Sequence, residues 1–298
     1  MITKRFWQVD AFTDQALSGN AAAVVFDAQD LSTETMQRIS REMNLSETVF
    51  LLKPENRKAH YKVRIFTPKN ELPFAGHPTV ASAFTVITSG IVPGDKAPAT
   101  LYQECGIGLV PVDILQSPEG CRYRMTQACP QYRPVDLPLS ELAAMLRCSA
   151  SHLVEVPAEV VSTGVQWLIA PIKTKADVAA LRPDMGRIEE VCRAHHAVGL
   201  TVFAVDSGSD IQVKVRTFAP GEGINEDPVC GSGNGSVAAY IAKHAMLAGD
   251  PIHYVAEQGE EVGRKGRVWV DITNSIQAGP VIQVGGQAVR VIEGVLEI

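Results

Sequence analysis

The hydrophobic and polar positions of this chain follow one order of elements and then follow it again. Phe6 to Phe12 and Ala21 to Phe26 read as strands, with Gly19-Asn20 as the turn signal between them. Ser32 then offers a helix N-cap, Glu34 lies in the first turn, and Met36, Ile39 and Met43 form an apolar stripe at helical spacing that ends at Asn44. Thr48 to Leu52 reads as a strand. Tyr61, Val63 and Ile65 alternate with Lys62 and Arg64, the pattern of a half-buried strand, and lead into Phe66-Thr67-Pro68. Gly76-His77-Pro78 precedes a helix of small residues, Thr79 to Ile87, with the proline near the first turn, where a missing N–H costs least. In the second half Trp167 to Ala170, Thr201 to Val205 and Val213 to Phe218 read as strands, and Ile188 to His195 and Ser236 to Ala242 as helices. Thr126 to Pro157, with several prolines and the short helical pattern Leu139 to Leu146, reads as the crossover between the halves.

The residues themselves repeat as well as the pattern. V-R-I-F-T-P from Val63 and A-G-H-P-T-V-A-S-A from Ala75 are echoed by V-R-T-F-A-P from Val215 and C-G-S-G-N-G-S-V-A-A from Cys230. Thr48-Val49-Phe50 matches Thr201-Val202-Phe203 at an offset of 153, Val63 matches Val215 at 152, Gly76 matches Gly231 at 155 and Gly106 matches Gly259 at 153. A repeat this long implies two domains about a pseudo-two-fold axis rather than a solenoid. The expected fold is α+β: residues 1–127 and 128–298 each form a mostly antiparallel sheet wrapped around a central helix, with the last strand free to pack on the first domain. Such an axis makes a cleft at the junction, the usual place for a ligand, and Gly76 and Gly231 are expected to face each other across it.

Composition narrows the function classes. The chain has 298 residues, enough for two domains with their own cores, and its 46% hydrophobic and 20% charged content is that of a globular protein. A net charge of -6 without a Lys/Arg run argues against nucleic acid or an anionic membrane as partner. No apolar run approaches a membrane span, and the strand-like start carries no signal-peptide pattern, so a cytoplasmic location is expected. Six scattered cysteines without C-x-x-C or cysteine/histidine spacing read as reduced thiols, mostly small core hydrophobes, and no metal is expected.

Both small-residue helices begin at Gly-rich turns, which present unsatisfied N–H groups and a positive dipole end. Aimed into one cleft, they make a site for a carboxylate; otherwise Gly76 and Gly231 only permit tight turns. His77 and Asp227 stand at the two helix entrances, as a proton-exchanging group and a partner for a cationic or hydroxyl group, or simply as caps. Ser232 offers a hydroxyl to the same anion or is a small turn residue. Asn20 and Asn234 read as turn-formers that could also donate to a ligand, and Gly233 joins Asn20 among the binding candidates. Glu47 is the sharpest residue, because the apolar neighbourhood N-L-S-E-T-V-F-L-L raises a buried carboxyl's pKa; at the offset of 153 it matches Leu200, so the repeat does not require it. An exposed strand-start glutamate is the alternative. Cys230 beside a helix N-terminus is a possible base, yet its counterpart is Ala75, which argues against a two-thiol racemase. Gly231-Ser232-Gly233-Asn234-Gly235 lacks the spacing of a dinucleotide loop.

Across nearly its whole length the chain resembles the phenazine-biosynthesis PhzF-like family, whose fold is similar to that of diaminopimelate epimerase. The likeness rests on V-D-A-F-T from Val9, G-N-A-A-A-V-V from Gly19, N-L-S-E-T-V-F from Asn44, F-T-P-K-N-E-L-P-F-A-G-H-P-T from Phe66, S-T-G from Ser162 and E-D-P-V-C-G-S-G-N-G from Glu226. The resemblance implies a cofactor-free isomerase, usually a homodimer, acting on a small carboxylate-bearing metabolite. It places the family's proton-moving glutamate on Glu47 and its assisting histidine, aspartate and serine on His77, Asp227 and Ser232. Cys230 departs from the threonine commoner in the family, and C-G-S-G is similar to the second catalytic motif of the epimerases. The reading is an isomerase or epimerase that moves a proton through Glu47; a Cys230-based amino-acid epimerase and a non-catalytic binding protein are the alternatives.

Overall fold

The structure is a computed structural model and describes residues 2–92, 98–118, 120–275 and 279–298. It contains two compact units, Met1–Met125 with Gly285–Ile298, and Thr126–Val284. In chain order the first unit holds β1 (Thr3–Ala11), β2 (Asn20–Val25), α1 (Thr33–Met43), β3 (Glu47–Leu52), β4 (Tyr61–Phe66), β5 (Glu71–Leu72), α2 (Gly76–Thr88), β6 (Thr100–Cys105), β7 (Gly108–Ser117) and β8 (Gly120–Thr126). The α1 helix forms where its caps dictate: Ser32 Oγ accepts the Thr35 N–H at 3.1 Å, and Asn44 closes the end in the left-handed conformation. Its stripe of Met36 and Ile39 packs on Phe50 and Phe66, and each such side chain buried contributes roughly 1.5–3 kcal/mol. By contrast α2 is buried on all sides, with Val80, Ala81, Ala83 and Val86 fully covered by β1, β2, β3, β4, β6 and later strands. Small residues let the sheet close around it, and a helix apolar all round belongs in a core.

The second unit contains β9 (Gln131–Pro134), α3 (Leu139–Leu146), β10 (Glu159–Ser162), β11 (Gln166–Pro171), α4 (Lys175–Ala180), α5 (Met185–Ala194), β12 (Gly199–Val205), β13 (Val213–Ala219), β14 (Ile224–Asp227), α6 (Gly231–Lys243), β15 (Ile252–Gln258), β16 (Gly266–Ser275) and β17 (Gly279–Gly286). Here α6 is the enclosed helix, packed by β10, β11, β12 and β16. The other face of its sheet carries α3, α4 and α5 through Leu142, Met145, Val178 and Ile188 on Leu168, Leu200, Val202 and Phe218. The final strand, β18 (Ala288–Glu297), pairs antiparallel with β1 in the first unit.

Three expectations change. A division at 127/128 gives way to one at 125/126; residues 285–298, which include the last strand left free to pack on the first domain, go with the first unit. Thr126 to Pro157 is not a mere crossover, because Leu142, Met145 and Leu146 of α3 sit in the second unit's core. The enclosed helices begin at Gly76 and Gly231 rather than at Thr79 and Ser236, so the glycine turns are already helix. Glycine's poor helix propensity hides those first turns from sequence reasoning, while burial in the tertiary fold secures them. Of the six cysteines, all free, only Cys192 and Cys230 are buried.

Candidate functional site

In the first unit the candidates gather where β3 and α2 begin. Glu47 opens β3, and its parallel neighbour on β2 is Ala22, whose small side chain leaves the carboxyl room. Glu47 is 13% exposed and its Oε2 lies 3.1 Å from His77 Nε2, although the approach is outside hydrogen-bond geometry and Oε2 accepts no hydrogen bond. Burial pushes the Glu47 carboxyl up to about 7, and the neighbouring Ser46 hydroxyl draws it partly back. This disposes of the exposed strand-start alternative. Ser46 Oγ also lies 3.4 Å from His77 Nε2 and 3.4 Å from Asn20 Oδ1. Asn20 is therefore a buried first residue of β2, rather than a turn-former at the surface. The preceding Gly19 has φ of 59°, and a Cβ there would collide with the Ala11 carbonyl oxygen. His77 is the second residue of α2, and Pro78 at the third lacks an N–H to satisfy. Neither His77 nor Gly76 is a capping residue; the N-cap is Ala75, whose side chain accepts nothing.

In the second unit the counterpart sits where β14 meets α6. Asp227 ends β14, and its Oδ1 accepts the Val229 N–H at 3.1 Å. Cys230 is the N-cap of α6, with Sγ accepting the Gly233 N–H at 3.3 Å, so that candidate donor is already engaged. Among the described residues nothing accepts the N–H groups of Gly231 and Ser232, the first two of the helix. Ser232 Oγ accepts the Trp167 indole N–H at 3.0 Å and lies 3.5 Å from Cys230 Sγ. Burial pushes the Cys230 thiol well up, reinforced by the charge of Asp227, so the helix terminus does not deliver a thiolate. Gln258 braces the turn: Oε1 accepts from the Cys230 N–H at 3.2 Å and Asn234 Nδ2 at 2.9 Å, and Nε2 donates to the Asp227 carbonyl at 2.9 Å. Asn234 is thus a buried helix residue and not a turn-former. Ser46, Trp167 and Gln258 were not singled out from sequence. Ser46 was within reach as a neighbour of Glu47; the other two meet partners 65 and 28 residues away and left no local signal.

Strand registers fix how the halves correspond. Arg64 pairs with Phe50 on β3, and Arg216 with Val202 on β12. Both arginines form bidentate ion pairs, Arg64 with Glu71 at 2.7 and 2.6 Å and Arg216 with Glu226 at 2.8 Å twice. Counting from these anchors, which lie 152 positions apart, Glu47 corresponds to Gly199 and Leu200 to Thr48. The one-residue correction matters because it changes faces: Phe50 packs outward on Phe66, whereas Phe203 packs on Tyr240 of α6. Both strands are buried on both sides, so hydrophobic alternation leaves their register unmarked. A side chain at Gly199 has no room; its Cβ would lie 2.8 Å from Trp167 Cζ3 and closer still to the Phe218 carbonyl oxygen. Leu72 pairs with Ile65 on β4 and Asp227 with Thr217 on β13, which sets Asp227 against Leu72. No group of three His, Cys, Asp or Glu among the described residues is placed to hold a metal ion. No described helix is long and apolar enough to cross a membrane.

Residues 9–294 match the family model for phenazine biosynthesis-like proteins. The chain is 35% identical to antisense-enhancing sequence 1 of Schizosaccharomyces pombe over 99% of both chains. It is 33% identical to the trans-2,3-dihydro-3-hydroxyanthranilate isomerase of Pseudomonas aeruginosa, covering 97% of this chain and 98% of that one. Among solved structures, the PhzF-family phenazine biosynthesis protein of Bacillus anthracis superposes with a TM-score of 0.91 at 28% identity over 100% of both chains. With its α+β fold and this match along the chain, the protein belongs to the phenazine biosynthesis-like family and is an isomerase.

Proposed function

We propose that the isomerase moves a proton on a small carboxylic acid without a metal or organic cofactor, using Glu47 as the group that removes and returns it. The observation that carries this reading is the buried carboxyl raised to about 7, with Oε2 accepting no hydrogen bond and His77 Nε2 at 3.1 Å from it. A carboxyl titrating near neutral pH accepts a proton from carbon and gives it back at comparable cost, whereas an ordinary carboxylate is too weak a base. His77 orients the acid and takes up charge beside it. At the α6 entrance the N–H groups of Gly231 and Ser232 hold the substrate's carboxylate, and Asp227 beside them partners a hydroxyl or amino group of the substrate. The thiol reading weakens here, since Cys230 is protonated, buried and engaged as a helix cap.

The test is deuterium wash-in from heavy water, first with trans-2,3-dihydro-3-hydroxyanthranilate and then with a panel of small acids, in enzyme treated with chelator. The wild type is expected to incorporate deuterium, and Glu47→Gln to lose about 10²–10⁴-fold of the rate with the fold intact. Exchange at the normal rate by Glu47→Gln, together with a dead Cys230→Ser, replaces this reading with the thiol epimerase.

A further inference from the structure

Trp167 occupies the second unit's answer to Glu47. In the parallel ladder of the first unit Glu47 stands beside Ala22; in the second, Gly199 stands beside Trp167. One pair gives its space to a carboxyl, the other to an indole ring. That ring is fixed over Gly199, and its N–H reaches Ser232 Oγ at 3.0 Å. An indole N–H can only donate. It therefore occupies one lone pair of the serine oxygen and leaves the hydroxyl proton for an acceptor elsewhere. The acceptor in reach is Cys230 Sγ at 3.5 Å, a weak one that already receives the Gly233 N–H at 3.3 Å. A carboxylate oxygen is a far better acceptor for the same proton.

We infer that Trp167 is a positioning and specificity-determining residue, which sets Ser232 as a hydrogen-bond donor to the substrate's carboxylate. The inference rests on the proposed anion-holding role of the α6 entrance and adds a residue and a direction of donation to it. The indole also excludes a second carboxylate from the position that matches Glu47, so the second unit holds substrate and does not exchange its proton.

The experiment titrates the full chain with anthranilate, a planar small carboxylate, and follows the ¹⁵N indole resonances of its three tryptophans. Wild type, Trp167→Phe, Ser232→Ala and the double variant are compared. Anthranilate is expected to shift the Trp167 resonance. Each single variant weakens Kd about tenfold, and the double variant is no weaker than either single, as for two members of one hydrogen-bonded unit. Additive losses, wild-type affinity in Trp167→Phe, or an indole resonance indifferent to anthranilate overturn the inference. Should Trp167→Phe fail to fold, Trp7→Phe and Trp269→Phe assign the resonance by elimination; a Trp167 response that survives unaltered in Ser232→Ala then overturns it. Glu47→Gln runs alongside in heavy water. Exchange by that variant sinks the proton-transfer reading, while the titration decides the role of Trp167 separately.

Discussion

In the first unit β3 opens with a carboxyl beside an alanine; in the second, β12 opens with a glycine beside a tryptophan. The strands around them keep the same ladders, the same arginine on β4 and β13, and the same glutamate paired to it. What differs is which member of a neighbouring pair carries the side chain. Likewise Leu72 and Ala75 precede α2, whereas Asp227 and Cys230 precede α6. The comparison teaches that scaffold and site are separable: backbone pairing and a bidentate ion pair hold the shape, and exchange of two neighbouring side chains gives one unit a buried carboxyl and the other a hydrogen-bonded serine.

The largest effect should come from breaking the matched ion pair in each unit. Arg216 and Glu226 are 5% and 10% exposed, and the guanidinium also donates to the Val178 and Leu181 carbonyls. Glu226→Gln leaves that buried charge without its counterion and should cost about 3–5 kcal/mol. Arg64 and Glu71 are 26% and 38% exposed, and Glu71→Gln should cost less than about 1 kcal/mol. Urea unfolding of both variants checks this; equal losses would show that the pair plays the same part in each unit.

Gly199→Ala is the next probe. The added Cβ meets the Phe218 carbonyl oxygen and the Trp167 ring, so a loss of more than about 3 kcal/mol is expected, where Ala22 tolerates a side chain at its neighbour. A melting temperature unchanged from wild type would mean that β12 shifts freely and that the register correspondence is soft.

Glu47 supplies a test by pH. Its folded-state value of about 7 lies above the ordinary 4.5, so the folded chain binds this proton more tightly than the unfolded one. The resulting stability is full below the ordinary carboxyl value and is lost as pH rises through about 7. Glu47→Gln has no such dependence, and between about pH 4 and about pH 8 it should gain on wild type by on the order of 3 kcal/mol. Parallel stability curves for the two proteins would place the carboxyl in water. In the same window, exchange per bound substrate should rise with pH as the base form fills.

The smallest change is expected from Cys230→Ser. A hydroxyl caps Gly233 as well as the sulfur does, so stability should move by less than about 1 kcal/mol and deuterium wash-in should persist. Iodoacetamide should label Cys230 far more slowly than the exposed Cys129, read by peptide mass spectrometry. Rapid labelling of Cys230 with loss of exchange would return the thiol to the mechanism.

The sequence by itself determined what local chemistry can carry. Ser32 and Asn44 bound α1, the Leu139 to Leu146 pattern is α3 to the residue, the recurrence of Val-Arg and Gly marked the corresponding halves, and Glu47 stood out by its apolar neighbourhood, His77 and Asp227 by their place at Gly-rich helix starts. Capping and helical periodicity act within a few residues, and such signals survive in the order of the letters. Tertiary structure alone decided the rest. The register of β3 and β12 followed from pairing with β4 and β13, because strands buried on both faces fit equally well one residue out of step. The thiol of Cys230 was read near a helix dipole, but desolvation and the charge of Asp227 outweigh the dipole and push its pKa the other way. Trp167 reached Ser232, and β18 reached β1, across separations that no window of sequence spans. Long-range contacts are set by which surfaces are left to bury once the local elements exist, so they belong to the folded chain as a whole.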